Sequence, residues 1–356
     1  MTLRISAALY TLTALALLGS ACGGEPAAAR DAATEGDGRV AVDASARDAR
    51  VDAPEACDPL TPRSPAAEAF VGPDGLRARL LRLFESAETS LDAATYLLDD
   101  PSLIDALGDA AERGVDVRVL LDPDQAVNSP ARTTLLARGV DVRFASPMFE
   151  HYHPKILIID HRLAVVMSAN LNGFSMESER NHGVLLRDRD DVTDVEAIFT
   201  LDFEDGAAPP SLNCTRLLIA PNNARARMRS LIESASSTLE LQHLSFSDAS
   251  LRRLVMARAA AGVSVRVLLA DPGWITGNAS AASALRGGGV EVRFLRSLDN
   301  HAKLILADGA TAMVGSENLS STSLDRNREV GVLITDATAY ATLSAAFEGD
   351  WLASAE

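Results

Sequence analysis

The sequence predicts an α/β fold made of two duplicated lobes, each a mixed β-sheet flanked by helices. The first observation behind this prediction is an internal repeat, because residues 114–121 recur as residues 262–269, at an offset of 148 residues. The second is the alternation of strand and helix patterns inside each copy, which is typical of layered α/β domains. A period this long indicates a duplicated domain and not a solenoid unit.

The duplication accounts for most of the chain. Removal of residues 1–60 from the 356-residue chain leaves 296 residues, which is twice the offset of 148. We therefore expect two halves, at 61–208 and 209–356, that face each other about a pseudo-twofold axis. The hydrophobic content of 47% is sufficient for substantial cores.

Both halves repeat one order of elements. Apolar residues at every third or fourth position predict helices, whereas alternating or continuous apolar runs predict strands. The order is helix, strand, helix, strand and short helix, at 76–89, 90–98, 103–113, 115–121 and 133–138 in the first copy and at 224–236, 238–246, 251–261, 263–269 and 281–286 in the second. Core packing accounts for these residues, so no function is assigned to them.

Residues 1–22 have the layout of an export signal. Arg4 precedes an apolar stretch that is too short for a membrane anchor, and small residues follow it up to Cys22. The end of this segment resembles a bacterial lipoprotein signal, in which the cysteine becomes lipidated. Cleavage without lipidation and simple secretion are the alternatives. We expect an exported protein that is lipid-anchored to the bacterial cell envelope, periplasmic or secreted.

Residues 23–60 are predicted to form a disordered acidic, alanine-rich tether. The segment carries nine acidic and four basic residues and almost no large apolar side chain, so it cannot fold alone. In an oxidising compartment Cys57 and Cys214 are expected to form a disulfide. The alternative is a reactive thiol, which is less favoured because no activating base lies near either cysteine.

The charge balance narrows the class of protein. The chain has 33 basic and 49 acidic residues and a formal net charge of −16. Such a charge argues against a protein that coats nucleic acid, although it permits a local basic pocket. The three cysteines form no Cys-x-x-Cys pair, which excludes a zinc ribbon and a disulfide-dense scaffold.

Two segments share one chemical pattern. They are His-Pro-Lys-Ile-Leu-Ile-Ile-Asp at 153–160 and His-Ala-Lys-Leu-Ile-Leu-Ala-Asp at 301–308, again 148 residues apart. Residues i and i+2 of a strand point to the same side, so each histidine is predicted to lie beside its lysine. A serine and an asparagine follow each segment two positions apart: Ser168 and Asn170, Ser316 and Asn318.

These residues resemble the signature of the phospholipase D superfamily, His-x-Lys-x4-Asp followed by Gly-Ser and Asn. The resemblance covers about residues 61–356. The second copy is the fuller one, with Gly315 before the serine and Asn327-Arg328-Glu329 after it. In the first copy Met167 replaces the glycine, and Glu179-Arg180-Asn181 has the acidic and amide positions exchanged. The resemblance implies two phospholipase D-like lobes.

The distribution of histidines points to one pair. Of the six histidines, only His153 and His301 match each other under the shift of 148 residues. A metal cluster of His151, His153 and His161 is the rival hypothesis, disfavoured because the second copy lacks the equivalent residues. We expect no metal and no other cofactor. His243 is predicted either to line the pocket or to cap a strand.

The resemblance implies a phosphodiester mechanism with a covalent phosphohistidine. Lys155 and Lys303 neutralise the phosphate, which Ser168, Asn170, Ser316 and Asn318 help to bind. His153 is implied as nucleophile and His301 as acid and base.

The family pattern also names acidic residues. Glu329 is the expected partner of one histidine, and Glu179 or Asn181 would serve in the other half. Asp160 and Asp308 are catalytic candidates by motif. Their strand parity is opposite to that of the histidines and lysines, so a structural role at a turn is at least as well supported.

The predicted activity is hydrolysis of glycerophospholipid headgroups to phosphatidic acid by a phospholipase D at a membrane surface. A cardiolipin synthase-like phosphatidyltransferase is the close alternative. A nuclease of the same superfamily is disfavoured by the net charge, and a non-catalytic phosphate-binding module is disfavoured by the two intact histidine–lysine pairs. Because both motifs lie in one chain, no obligate protein partner is implied.

Overall fold

The computed structural model describes residues 58–206, Leu212 and residues 214–354. Residues 55–356 form one compact unit. The predicted export segment with Cys22 and nearly all of the predicted tether lie outside the described residues. Cys214 is disulfide-bonded, whereas Cys57, its predicted partner, lies outside the described residues.

The first lobe begins with a strand and ends with a long helix. Its elements are β1 (Glu68–Gly72), α1 (Leu76–Glu85), β2 (Ser90–Thr95), α2 (Pro101–Glu112), β3 (Asp116–Leu121), α3 (Asn128–Ala137), β4 (Asp141–Phe144), β5 (Ile156–Ile159), β6 (Leu163–Met167), α4 (Gly173–Glu177), β7 (Glu179–Leu186) and α5 (Arg189–Phe203). Several helices start at capped positions; Asp100, for example, accepts the backbone N–H of Leu103 at 3.2 Å and so satisfies a free donor of α2.

The second lobe repeats the same order with one additional short strand. Its elements are β8 (Leu217–Ala220), α6 (Ala224–Ser234), β9 (Thr238–His243), α7 (Ala249–Ala260), β10 (Ser264–Ala270), α8 (Gly277–Gly287), β11 (Glu291–Leu295), β12 (Asp299–Asn300), β13 (Lys303–Ala307), β14 (Thr311–Gly315), α9 (Ser321–Asp325), β15 (Glu329–Ile334) and α10 (Ala337–Leu352).

Each lobe contains a mixed sheet, as the sequence predicts. The strand order is β1-β7-β6-β5-β2-β3-β4 in the first lobe and β11-β10-β9-β13-β14-β15-β8 in the second. The strands β2, β3 and β4 are parallel, and so are β9, β10 and β11. The remaining neighbours in these two orders are antiparallel, and β12 of the second lobe pairs in parallel with β7 of the first. The parallel strands require helical crossovers, which α2, α3, α7 and α8 provide.

The repeat is not a uniform shift of 148 residues. The edge strands β4 and β11 align at an offset of 150, with Phe144 matching Phe294. The second copy has two more residues between β10 and α8 and two fewer between β11 and His301, so the offset returns to 148 at the histidines. The length differences therefore fall in loops and leave the histidine strands in register.

A shared core lies between the two sheets. One apolar cluster includes inward-facing residues of both sheets together with α5 and α10, such as Ile156, Phe199, Leu304 and Phe347. Two further clusters pack the outer face of each sheet against α1–α3 or α6–α8. The lobes are joined by this buried core and form one body.

Backbone hydrogen bonds cross reciprocally between the lobes. The N–H of His153 donates to the carbonyl of Arg328 at 2.9 Å, and the N–H of His301 donates to the carbonyl of Arg180 at 3.1 Å. These two bonds are equivalent under the shift of 148 residues. Reciprocal contacts of this kind are those that a pseudo-twofold axis produces, and they bring each histidine against the first residues of the other lobe's last strand.

Candidate active site

The two histidine–lysine pairs lie just before or at the start of β5 and β13. The side chains of Lys155 and Lys303 are fully buried, and His153 and His301 are 8% and 6% exposed. Each lysine Nζ donates to the backbone carbonyl of its own histidine, at 2.7 Å for Lys155 and 2.8 Å for Lys303. The prediction assumed that each histidine lies on a strand, whereas both histidines precede their strands. Each ammonium nevertheless lies beside its histidine, because it bonds the backbone carbonyl of that residue. We call these four residues the His–Lys cluster.

His153 is held by a carboxylate from the other lobe. Its Nδ1 lies 2.7 Å from Oε2 of Glu329, which is fully buried at the start of β15. The second oxygen, Oε1, accepts hydrogen bonds from Ser323 Oγ at 2.7 Å and Asn327 Nδ2 at 2.9 Å. Burial opposes ionisation, but His153 and Lys155 hold the pKa of Glu329 below its ordinary value. Glu329 is therefore placed as the partner of His153, in agreement with the sequence-based expectation.

His301 is held mainly by an amide. Its Nδ1 lies 3.0 Å from Oδ1 of Asn181, on β7 of the first lobe, and 3.7 Å from Oε2 of Glu179. The Glu179 carboxylate accepts a hydrogen bond from Ser175 Oγ at 2.6 Å. The exchange of acidic and amide residues in the first copy therefore gives the two histidines different partners.

The cluster is electrostatically coupled. Burial, followed by the positive charges of Lys303 and Lys155 and by His153, holds the pKa of His301 well below its ordinary range. Burial lowers the pKa of His153 to about 4, against an opposing effect of Glu329. The pKa of Lys303 is lowered to about 7 by burial and that of Lys155 is also lowered well below its ordinary value. Such mutual effects indicate that the four groups lie in one site.

Of the predicted phosphate-binding residues, the two serines bond residues at or next to the histidines' partners, Asn181 and Glu329. Ser168 Oγ donates to Asn181 at 2.8 Å, next to His301, whereas Ser316 Oγ accepts the N–H of Val330 at 3.1 Å. The Oδ1 atoms of Asn170 and Asn318 are buried without a protein partner. These oxygens only accept hydrogen bonds, as do the oxygens of a phosphate, so a bound phosphate would be held through the Nδ2 groups of the two asparagines.

Two ion pairs cross the lobes behind the histidines. Arg180 pairs with Asp350 at 2.7 Å, and Arg328 contacts Asp202 at 2.9 Å. The shift of 148 residues maps the first pair onto the second, so the repeat carried a signal that the sequence analysis did not use. Arg180 and Arg328 are also the residues whose carbonyls accept the histidine N–H groups. The ion pairs thereby hold the backbone that positions both histidines.

Comparison with known proteins decides the family. Both halves match the family model described as "Cardiolipin synthase, PLD-like domain", over residues 80–202 and 228–351, which together exceed half of the chain. The chain belongs to the phospholipase D superfamily. The two matched segments begin 148 residues apart, the same offset that separates His153 from His301.

Curated relatives share this superfamily. The chain is 26% identical to the probable cardiolipin synthase YwiE of Bacillus subtilis (strain 168) over 314 residues, which are 76% of this chain and 63% of the relative. It is 34% identical to the mitochondrial cardiolipin hydrolase of Xenopus tropicalis over 128 residues, 36% of this chain and 60% of the relative. The chain thus spans less than two thirds of these relatives.

Solved structures support the fold. The phosphatidylserine synthase of Haemophilus influenzae Rd KW20 superimposes with a TM-score of 0.61 at 15% identity, over 82% of this chain and 87% of that chain. Polyphosphate kinase from Porphyromonas gingivalis gives a TM-score of 0.62 at 16% identity, over 80% of this chain and 50% of that chain. At these identities the likeness concerns the two-lobed fold alone. Within the described residues no helix is long and apolar enough to span a membrane.

The aspartates of the superfamily motif lie away from the His–Lys cluster. Asp160 and Asp308 follow β5 and β13 at tight turns, both with positive φ, at the end of each strand opposite to the lysine. Asp160 accepts N–H groups of Glu88, Thr89 and Ser90 at 3.1, 2.7 and 3.0 Å. Asp160 follows Lys155 by five positions along the strand, which corresponds to roughly 16 Å. Both aspartates hold turns, so this geometry supports the structural role and not the catalytic role predicted from the motif.

The rival histidine metal cluster does not form. His161 lies on the exposed turn after β5 and bonds Glu196 at 2.7 Å, whereas His153 bonds Glu329. Among the described residues, Asp122, Asp124 and His151 offer donor atoms within 4.8 Å of one another. Both oxygens of Asp122, however, already accept backbone N–H groups, from Asp124 at 2.9 Å and Tyr152 at 2.7 Å. These two hydrogen bonds give Asp122 a structural role, which is to hold the surrounding loops.

Two neighbours of the cluster were not identified from the sequence. The centroid of the Tyr96 ring lies 4.6 Å from the centroid of the His153 ring. It lies 5.2 Å from the Nζ atom of Lys155. The second copy has Leu244 at this position, so the repeat gave no signal for it. Glu317 is fully buried and neither carboxylate oxygen has a partner among the described residues. Burial and then the charge of Glu329 raise the pKa of this carboxyl well above its ordinary value.

His243 ends a strand beside a lysine of the His–Lys cluster. It is the last residue of β9, opposite Lys303 of β13, and is fully buried. Burial, Lys303 and His182 lower its pKa to about 3, and His182 is also buried with a pKa of about 3. Both rings are therefore neutral inside the protein at ordinary pH.

Proposed function

We propose that the protein is a phosphatidyltransferase that resembles cardiolipin synthases, acting on glycerophospholipids through a covalent phosphohistidine. The observation that carries the proposal is the presence, in one chain, of two buried histidine–lysine pairs, one from each lobe, whose histidines are held by residues of the other lobe. Membership of the phospholipase D superfamily and the match of both halves to a cardiolipin synthase model support the lipid substrate.

The cluster suits phosphodiester chemistry. A phosphodiester is anionic and repels nucleophiles, so its non-bridging oxygens require nearby cations, which Lys155 and Lys303 supply. A neutral imidazole forms a bond to phosphorus as the bond to the first alcohol breaks, and an imidazolium gives that alcohol its proton. An acceptor hydroxyl then attacks phosphorus, its proton moves to the second imidazole, and the bond to the first imidazole breaks.

The nature of the acceptor separates transfer from hydrolysis. Transfer to the hydroxyl of a second lipid headgroup is supported by relatives such as the probable cardiolipin synthase of B. subtilis, with which the chain aligns over both halves. Transfer to water, the predicted phospholipase D hydrolysis, is supported by the similarity to a cardiolipin hydrolase over about a third of the chain. The first reading has the broader support, and the second remains the alternative.

Phosphatidylglycerol vesicles test the proposal. We expect the purified protein, with a chelator present, to produce cardiolipin and free glycerol, measured by mass spectrometry of extracted lipids. The variant His153→Ala should lose about 10²–10⁴-fold in rate, the range of a positioned proton-transfer group. His161→Ala is the matched control, since His161 lies on an exposed turn.

The products distinguish the alternatives. Phosphatidic acid without cardiolipin would replace transfer by hydrolysis. Nicking of plasmid DNA with unchanged lipid would replace the lipid by a nucleic-acid substrate. If neither lipid nor DNA turns over while phosphate still binds, the site is a binding module and the enzymatic proposal is wrong.

A further inference from the structure

We propose that four exposed apolar side chains around the His–Lys cluster form a surface that inserts into a phospholipid bilayer. They are Val127, Met148, Phe174 and Trp274, which are between 40% and 67% exposed. We call these four residues the apolar rim. The choice of a lipid bilayer as the partner rests on the proposed function, because the substrate in that proposal is a membrane lipid.

All four residues lie at the sheet edge that carries the His–Lys cluster. Val127 and Met148 follow β3 and β4, which run parallel to β2, and Trp274 follows β10, which runs parallel to β9. Phe174 comes after β6, which runs in the same direction as β2 because β5 lies antiparallel between them. The lysines lie at this edge too, since β5 and β13 begin where β2 and β9 end. The reciprocal backbone bonds of the two histidines join the edges of the two lobes, so the rim residues lie around one site.

Two rim residues are directly connected to the histidine of the first lobe. Asn128, the residue after Val127, donates to the backbone carbonyl of Tyr96 at 2.9 Å. The ring of Tyr96 in turn lies against the ring of His153. Met148 lies in the loop that leads from β4 to the same histidine. These two exposed side chains are therefore carried by segments that also shape the site.

The other two rim residues are connected to the histidine of the second lobe. Ser175, the residue after Phe174, bonds the carboxylate of Glu179, which lies near that histidine. Trp274 lines one surface pocket together with Asn300, the residue directly before that histidine. Both lobes thus present exposed apolar side chains beside their part of the site.

The burial of the His–Lys cluster explains how an apolar rim would serve a lipid substrate. The two lysines are fully buried and the two histidines nearly so, and a lipid phosphodiester must therefore leave the bilayer surface to react. With the rim inserted in the bilayer, the acyl chains stay in apolar surroundings while the headgroup enters the site. Removal of the rim side chains from water supplies free energy for this attachment.

The charge of the protein indicates which forces act in this attachment. The chain has a formal net charge of −16, which repels an anionic bilayer. Attachment through the rim is apolar, and salt screens the repulsion. We therefore expect binding to phosphatidylglycerol vesicles to be unchanged or stronger at higher salt. Binding that weakens with salt would indicate attachment through a basic patch and would contradict the proposal.

Trp274 reports directly on insertion. The chain has two tryptophans, and the other, Trp351, is buried. We expect vesicles of phosphatidylcholine brominated in the acyl chains to quench the tryptophan emission of the full-length wild type. They should not quench that of Trp274→Phe, which keeps an apolar ring and Trp351. Equal emission with brominated and unbrominated vesicles, while the protein sediments with both, would show that the rim stays outside the bilayer and would refute the proposal.

Serine variants test whether the rim drives binding. The double variant Phe174→Ser/Trp274→Ser should bind sedimented phosphatidylglycerol vesicles about tenfold or more weakly than the wild type. Its rate with these vesicles should also fall relative to its rate with a monomeric short-chain phosphatidylglycerol. Leu136→Ser is the matched control, because Leu136 is 43% exposed against 44% for Trp274 and lies at the far end of α3. An equal loss in the control would refute a specific rim.

The outcomes separate this proposal from the proposed function. Absence of vesicle binding, with a concentration-dependent dimer in analytical ultracentrifugation, would assign the rim to a second copy of the chain and overturn the proposal. Lipid turnover with normal vesicle binding by the double serine variant would refute the rim and leave the proposed function intact. Quenching and rim-dependent binding without turnover of any lipid would support membrane docking and refute the proposed function.

Discussion

At the scale of single residues, Lys155 and Lys303 are the two cations that we propose to neutralise the anionic substrate. Both are fully buried, and burial lowers the pKa of Lys303 to about 7 although Glu179, Glu329 and Glu317 oppose this effect. A lysine with this pKa loses its charge as the pH rises through neutrality. In the proposed mechanism, where Lys303 neutralises the phosphate, substrate binding is therefore coupled to pH.

The pH dependence of binding follows from Lys303. Its cation is present below a pH of about 7 and is lost above it, so we expect the KM for phosphatidylglycerol to rise on the alkaline side, by up to about tenfold per pH unit. In Lys303→Arg the guanidinium stays charged, and KM should rise less steeply over the same range. Initial rates measured across the pH range provide the check; identical pH profiles for the two proteins would contradict this role.

Which site residues the sequence reveals depends on whether the duplication retained them. His153, Lys155 and their counterparts recur at the same offset, and their spacing alone predicts that they lie together. Tyr96 could not be found in this way, because its counterpart is a leucine. The choice between Glu179 and Asn181 as partner of His301 also required coordinates, since both side chains lie on one strand and differ in reach by less than 1 Å.

At the scale of elements, the turns after β5 and β13 show why both copies keep an aspartate. Each carboxylate accepts three consecutive backbone N–H groups at the start of β2 or β9. Burial opposes ionisation, but these bonds lower the pKa of Asp160 to about 2 and that of Asp308 still further. The aspartates join the turn to the neighbouring strand and thus fix the register of β5 and β13.

Replacement of this carboxylate separates a structural from a catalytic role. Asp160→Asn tolerates the positive φ of this position but removes the charge. We expect a loss of about 1–2 kcal/mol in the free energy of unfolding at neutral pH, and an unchanged kcat. Because the folded pKa is lowered, the stabilisation is present above a pH of about 4 and disappears as the pH falls toward about 2. Urea unfolding and initial rates measure both effects; a kcat loss without a stability loss would restore the catalytic interpretation.

The elements with strong apolar periodicity were predicted within a few residues. The helix predicted at 103–113, for example, is Pro101–Glu112. The helices α5 and α10 were not predicted, although they form part of the shared core. Their apolar side chains are interrupted by acidic residues, and some of these, such as Asp202 and Asp350, are buried because they pair with arginines of the other lobe. Tertiary partners decide that pattern, and the local sequence does not show them.

At the scale of the whole molecule, the two halves complete one site. Each lobe provides the histidine of one pair and the residue that holds the histidine of the other, and the ion pairs of Arg180 and Arg328 cross in the same sense. The net charge of the chain is −16, but Lys155 and Lys303 are buried where the two lobes meet. The pocket can therefore be locally cationic in an acidic protein. The repeat in the sequence predicts the symmetry, and the structure adds that the partners are exchanged between the lobes.

The stereochemistry at phosphorus tests the central claim, that the histidines of both lobes act in sequence on one phosphodiester through a covalent intermediate. The substrate is a phosphatidyl ester made chiral at phosphorus by isotopic oxygen, and the configuration of the product is read by phosphorus NMR. Two successive in-line displacements invert the centre twice, so the account predicts overall retention. Overall inversion would show a single direct displacement and would contradict the account.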